Sequence, residues 1–402
     1  MAFHGSRAKT PVAPPCSVGN MQVVYATEPL PDTVRSSIFL AGPTPRLIDV
    51  ASWRPAALAR LAQRGYTGTV FVPERRDRGP VESYIDQIDW ELAALARADC
   101  ILFWIPRELG PMPGFTTNVE FGYWARSGKC VLGAPPNAPK LAYLHALADR
   151  LGIARVDDLD AGVACAMARV GAGAERRGGE CDVPLDIFHS RAFQRWYGAQ
   201  RAVGNVLEGA QVEWVLRVVD RQYLFYWALH VRVWIAAEQR VKQNEVVLAR
   251  PDTAQVVLVH RATKTFALIR EFRSPAATRD GVVHEHCGGS SFEAEATGND
   301  DPRAIAVAEL AEEVALHVDI ARLRPLGARQ LAPTMSSHRA HAFVVELDDG
   351  ERARLRAQAA AGEVHGADDG ERTTLEIWTL DELLRDDRVD WGTAGMAAAA
   401  LQ

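Results

Sequence analysis

The chain has 402 residues, 48% apolar and 24% charged. That is enough for two or three domains with cores of their own, without a disulfide or metal staple, and it excludes extended disorder. The 45 basic residues fall short of the 51 acidic ones, a formal charge of −6, which argues against nucleic acid as the main partner, because binders of polyanions carry basic patches.

In chain order, residues 1–21, rich in proline, glycine and small side chains, read as a flexible tail. Residues 22–170 alternate apolar runs with helical spacing. Strands are expected at 37–41, ending at Gly42-Pro43, and at 69–72, 100–105 and 130–132. Helices are expected at 53–64, at 85–98 with Trp90, Leu92 and Leu95 on one stripe, and at 118–127. Such alternation implies an α/β domain, a doubly wound parallel sheet of the flavodoxin or Rossmann type. Ligands on such sheets bind at the carboxyl ends of the strands. Residues 171–204 read as a glycine-rich, charged linker followed by a connecting helix. In residues 205–402, short strands are followed by a helix at 302–316, more strands and a short helix at 380–384, an α+β domain.

The six cysteines form no CxxC pair and no zinc-ligand spacing with histidine, the usage of a reduced, cytoplasmic protein. The N-terminus lacks a basic-then-apolar signal pattern. The most apolar stretch, 223–237, is broken by His230 and Arg232 and is too short to span a bilayer. No membrane partner is expected.

Glu309, Glu312 and Glu313 stand at i, i+3 and i+4 and share one helix face. Their mutual repulsion, a few tenths of a kcal/mol per exposed pair (about 0.2–0.5), is relieved by a hard cation, and oxygen ligands suit Mg²⁺ or Mn²⁺. A solvated acidic face is the alternative. With Glu285, Gly288-Gly289 and Asp300-Asp301-Pro302 before it, the stretch EHCGGSSFEAEATGNDDPRAIAVAELAEEVAL resembles a Nudix box. Residues 268–275, 330–334 and 341–343 resemble the ADP-ribose pyrophosphatase branch of that family. The resemblance implies a Nudix fold over 205–402 and hydrolysis of a nucleoside diphosphate derivative such as ADP-ribose. It implies metal on Glu309, Glu312 and Glu313, with Glu285 as a further ligand, Glu371 as general base and Arg273 on the substrate. Two positions depart from the pattern. Ala308 stands where an arginine braces the glutamates, and Ala315 where the box ends in glycine. They keep open a second reading, a silent nucleotide-binding module that regulates the first domain.

In the first domain Phe39-Leu-Ala-Gly-Pro43, Gln87-Ile-Asp-Trp-Glu91 and Thr116-Thr-Asn-Val-Glu-Phe-Gly-Tyr123 form an ordered set. The set resembles the nucleoside 2-deoxyribosyltransferase superfamily, which includes nucleotide N-glycosidases. The resemblance implies that Glu120 is a nucleophile at the anomeric carbon, where cleavage of a sugar–base bond develops positive charge. Asp89 is the candidate for protonating the departing base. Gly42 and Thr44 end the first strand, where backbone approaches a sugar or phosphate closely. Arg46 pairs with a phosphate or is an exposed loop residue. Thr116, Thr117 and Asn118 bind the ligand or cap the helix, capping being the expected role of Asn118. Trp104 stacks on a base or belongs to the core. Gly114 stands where the best-known transferases carry an acid, which leaves open ribose against deoxyribose and water against a second base as acceptor. No cofactor is expected in this domain. The substrate is a small-molecule nucleotide, and a homodimer is expected through this domain near Phe115 and Tyr123.

Overall fold

The computed structural model describes residues 17–18, 21–47, 49–77, 83–218, 223–290, 301–366 and 372–402. They divide into two compact units. The first holds residues 1–189, 203–215 and 229–245, and the second 190–202, 216–228 and 246–402.

The first unit contains β1 (Met21–Tyr25), β2 (Ser37–Ala41), α1 (Arg54–Gln63), β3 (Thr69–Val72), α2 (Tyr84–Arg97), β4 (Cys100–Trp104), α3 (Phe115–Trp124), β5 (Cys130–Gly133), α4 (Ala142–Leu151), β6 (Arg155–Val156) and α5 (Leu159–Val170). The six strands are parallel, in the order β1-β3-β2-β4-β5-β6. Every residue of β2, β3, β4 and β5 is buried, the condition of a strand covered on both faces. Alternate side chains serve the two faces. Ile38, Leu40, Leu102 and Trp104 pack with α1 and α5, while Phe39, Ala41, Ile101 and Phe103 pack with α2, α3 and α4. The sheet is doubly wound, as expected. Residues 1–16 of the expected tail lie outside the described residues, and Ser17–Val18 pair with Met21–Gln22.

Three expectations differ from the structure. Leu92 does not share the stripe of Trp90 and Leu95, since it is 50% exposed while they are buried. Two residues on from Trp90, it is turned by about 200° around a 3.6-residue helix. Residues 171–185 do not behave as a linker. Arg176–Arg177 pair with Thr33–Val34, and the fully buried Arg176 guanidinium meets Asp99 at 2.6 Å. Asp99 also accepts from the Ser37 hydroxyl and the Ser37 and Leu185 amides. The glycines make tight turns instead. Gly173 has φ 68°, and a Cβ there would lie 2.5 Å from the Arg35 carbonyl. The expected connecting helix is two, Leu185–His189 in the first unit and α6 (Arg191–Ala202) in the second.

Three long strands, β7 (Val206–Val218), β8 (Tyr223–Ile235) and β9 (Arg240–Ala249), form a three-stranded sheet. The second unit has a mixed sheet. Its strands are β10 (Thr253–His260), β11 (Thr265–Phe272), β12 (Val282–Glu285), β13 (Cys287–Gly289), β14 (Arg324–Gln330), β15 (Arg339–Glu346), β16 (Val364–His365) and β17 (Thr373–Thr379). The order is β14-β15-β10-β11-β17-β16, with β12 on β11 and β13 on β10. β10 and β15 run parallel. Helix Pro302–Val314 (α7) and helix Asp349–Ala361 (α8) cover one face through Leu310, Val314 and Leu355. Helices Leu380–Arg385 (α9) and Trp391–Ala400 (α10) cover the other through Leu383, Ala394 and Ala397. Among the described residues no helix is long and apolar enough to cross a membrane.

Candidate functional sites

In the first unit β2 and β4 are neighbours, but the chain leaves β2 toward α1 on one face and β4 toward α3 on the other. A crevice opens at the carboxyl ends of two such strands. Gly42 ends β2 with φ 153°, and a Cβ there would lie 2.1 Å from the Trp104 carbonyl oxygen, so the close approach requires glycine. Arg54, 1% exposed at the first position of α1, fixes this turn. Its guanidinium donates to the Leu40 carbonyl (3.0 Å), the Gly42 carbonyl (2.7 Å) and the Thr44 hydroxyl (3.1 Å), and pairs with Glu74 at 2.6 Å.

Glu120 lies on α3, more than a turn past the left-handed cap Gly114, and is half-buried. Burial first, and then the charge of Glu91, push its carboxyl up to about 7, with Arg54 pulling the other way. Glu91 is raised by burial and eased by the Gln87 amide, which donates to it at 2.7 Å, and by Arg54. Glu120, Glu91 and Arg54 thus share one electrostatic site. Arg54, Glu74 and Glu91 are absent from the residues expected from sequence. The signal for Glu91 was its i, i+4 spacing from Gln87, which puts both on one side of α2.

Asp89 is exposed, two residues from Glu91 and so on the opposite side of α2; the structure does not bring it to Glu120. Trp104 is 6% exposed and packs in the core, its ring against Gly133, so base stacking is not open to it. Asn118 is no cap. The cap position is Gly114, without a side-chain hydrogen bond, and the Asn118 side-chain oxygen, Oδ1, accepts from the Arg107 guanidinium at 2.5 Å. Thr117 is buried beside Gly114. Thr44, Arg46 and Thr116 are exposed, and the Arg46 guanidinium lies 5.7 Å from the centre of the Phe115 ring. Phe115, Val119 and Tyr123 form an exposed apolar stripe on α3.

In the second unit α7 carries Glu309, Glu312 and Glu313. Glu313 is buried, and its carboxylate accepts from the Gly288 amide at 2.9 Å. Burial, with Glu309 and Glu285 nearby, pushes it up to about 8, while the Cys287 thiol and the Gly288 amide ease it. Glu309 reaches Gly289, where a Cβ would lie 2.1 Å from its Oε1. Glu312 and Ala308 are exposed. Ala315 ends the helix in the left-handed region, φ 50°, the conformation that favours glycine. Arg273 bridges two carboxylates, Glu285 and Glu271, each at 2.9 Å. Glu371 and Asp300 lie outside the described residues. Among the described residues no three His, Cys, Asp or Glu side chains are gathered as a metal-binding group.

A family model described as nucleoside 2-deoxyribosyltransferase like matches residues 35–138. The match runs from β2 through β5 and takes in Gly42, Arg54, Glu74, Glu91 and Glu120. No curated protein matches the chain. The first unit therefore carries, over 35–138, the pattern of nucleoside 2-deoxyribosyltransferase-like domains on a parallel sheet of six strands.

Proposed function

We propose that the first unit breaks the N-glycosidic bond of a nucleoside or nucleotide, with Glu120 as nucleophile. The observation that carries the reading is the grouping of Glu120 with Glu91 and the buried Arg54, which pushes Glu120 up to about 7, inside the segment matched by the family model. The charge of Glu91 raises the cost of ionising Glu120, and burial raises Glu91 itself, and the reading assigns one shared proton to the pair. The ionised Glu120 attacks the anomeric carbon as the carbon–nitrogen bond breaks, and an ester to the sugar forms. The proton held by the pair passes to the base nitrogen, with Glu91 in the acid's role in place of Asp89. Water or a second base then displaces Glu120. Arg54 is a positioning residue that holds the Gly42–Thr44 turn against the ligand.

For the second unit the proposal is a Nudix hydrolase acting on a nucleoside diphosphate derivative such as ADP-ribose. Its support is the glycine pair Gly288-Gly289 set against Glu309 and Glu313. Glu309, Glu312 and Glu313, with Glu285, would hold Mg²⁺ or Mn²⁺, which supplies charge neutralisation on the diphosphate. The silent-module reading is favoured by Ala308 and by Arg273, which is engaged with Glu271 and Glu285. Acting in sequence, the second unit would release a monophosphate from which the first removes the base. The setting is cytoplasmic and the assembly a homodimer through the Phe115, Val119 and Tyr123 stripe. Time-resolved chromatography with nucleoside monophosphates, ADP-ribose and NAD tests both activities. Free base from a monophosphate supports the first assignment. Free base released only from intact diphosphates contradicts the order.

A further inference from the structure

Glu91 is half-buried on α2, and among the described residues its carboxyl has a single hydrogen-bond donor, the Gln87 side-chain amide, at 2.7 Å. Arg54 of α1 acts on it without a hydrogen bond, since that guanidinium is bound to Glu74 and to the β2 turn. Glu120 of α3 feels its charge, while Asp86 and Asp89 of α2 are exposed. The helix holds Gln87 and Glu91 in register. Ser83 caps α2 by accepting from the Asp86 amide at 3.2 Å, and the Gln87 main-chain N–H closes the first turn on the Ser83 carbonyl at 3.3 Å. Residues four apart lie on one side of a helix. Trp90, next to Glu91, packs in the core with Phe39 and donates to the carbonyl of Glu28 at 2.7 Å, and the Glu28 side chain is paired with Arg76. That anchor sets the rotation of α2, and with it the side on which Gln87 and Glu91 stand.

The chemistry asks for this kind of donor. When the sugar–base bond breaks, its electron pair stays with the base nitrogen, the proton of Glu91 joins that nitrogen, and Glu91 is left as a carboxylate. A half-buried carboxylate is costly unless a donor meets it. A guanidinium or ammonium in direct contact would keep Glu91 ionised, without a proton to give. A side-chain amide is neutral and carries both a donor and an acceptor, so it serves the acid before the transfer and the carboxylate after it. We propose that Gln87 is a positioning residue for base release, holding Glu91 in place and stabilising the carboxylate that Glu91 becomes. The proposal rests on the N-glycosidase reading, with Glu91 as its acid. The Gln87 hydrogen bond is the first of the influences that ease the ionisation of Glu91, ahead of Arg54.

The test follows base release by the full chain from a panel of ribo- and deoxyribonucleoside monophosphates across pH. Alongside it, infrared difference spectra follow the Glu91 carboxyl, assigned by its loss in Glu91→Gln. Gln87→Met keeps the length of a side chain on a partly exposed helix face and removes the amide. It should lower kcat about tenfold or more, the worth of a hydrogen bond to a charged group, and leave KM unchanged. It should also move the falling limb of the pH profile and the Glu91 titration to higher pH, whereas Gln87→Lys should move both to lower pH. In a Glu91→Gln background Gln87→Met should cost nothing further, because Gln87 acts through Glu91. A folded Gln87→Met protein with the wild-type kcat overturns the proposal. So does a loss of rate with limb and titration unmoved, or a further fall in the Glu91→Gln background. If the wild type releases no base while the Glu91 titration moves as described, the N-glycosidase reading fails and the hold of Gln87 on Glu91 stands. If base is released and the titration does not move, the N-glycosidase reading stands and Gln87 has no part in it.

Discussion

The glutamates of the two units meet the cost of burying carboxylates in opposite ways. In the first unit Glu120 and Glu91 have a buried cation of the chain, Arg54, within electrostatic reach, and Arg54 is itself locked by Glu74 and three oxygens of the β2 turn. Arg54 offsets part of the cost of burying both carboxyls. In the second unit Glu313 is eased by a thiol and an amide, and the nearby Arg273 is engaged with Glu285 and Glu271. The groups that ease Glu313 are uncharged. A glycosidic bond can be cut by one carboxylate and one proton, whereas a diphosphate brings negative charge that must be neutralised. The two arrangements suit those two reactions.

The contrast can be broken most sharply by removing one carboxylate from each site. Glu312→Gln should abolish metal-dependent cleavage of ADP-ribose and leave base release unchanged, because the chemistries use different side chains in different units; both rates measured on one preparation decide this. A parallel fall in base release would show the sites to be coupled. Glu91→Gln should lower base release about a hundredfold or more, the usual worth of a positioned acid, and should also lower the pH at which Glu120 ionises, since the neighbouring charge is gone. A variant with an unmoved pH profile would place Glu91 outside the site.

The pH dependence sharpens the same point. Base release uses the pair with one proton, so its rate should rise with pH as the first proton leaves and fall above about 7 as the last one leaves. Stability should follow the same protons. The folded value lies above the ordinary 4.5, so the folded chain holds a proton that the unfolded chain has released. The first unit therefore loses stability as pH rises from about 4.5 to about 7. Glu120→Gln should flatten that slope in melts recorded across the range.

The smallest effect concerns Ala315, which holds a left-handed conformation at the end of α7. Ala315→Gly should raise the stability of the second unit by about 1 kcal/mol, the usual cost of that conformation to a side chain. A lower melting temperature would show that Ala315 contributes packing that outweighs the strain.

What could be read from the sequence was local. β2 and β4 stand out as unbroken apolar runs because both their faces are covered, and Glu120 stands out within its motif. Arg54 does not, since its role depends on Glu74, which α1 and β3 bring to it through the fold. Arg176 is a stronger case. Its partner Asp99 is 77 residues away, and the glycines around it are composition that turns and linkers share. α10 escaped the hydrophobic pattern because its alanines give little contrast between faces. The carboxylates of α7 were visible by spacing, but whether they converge on a metal depends on strands β12 and β13, which helical periodicity does not encode.

The most direct measurement is the mass of the intact protein, quenched during turnover of a nucleoside monophosphate, for wild type and Glu120→Ala. The account predicts a sugar phosphate adduct on the wild type, mapped to the peptide containing Glu120. It also predicts a folded variant with no adduct and base release down by orders of magnitude. A folded Glu120→Ala protein that keeps more than about a tenth of the wild-type rate, a loss of only ~1.4 kcal/mol in barrier, would contradict it.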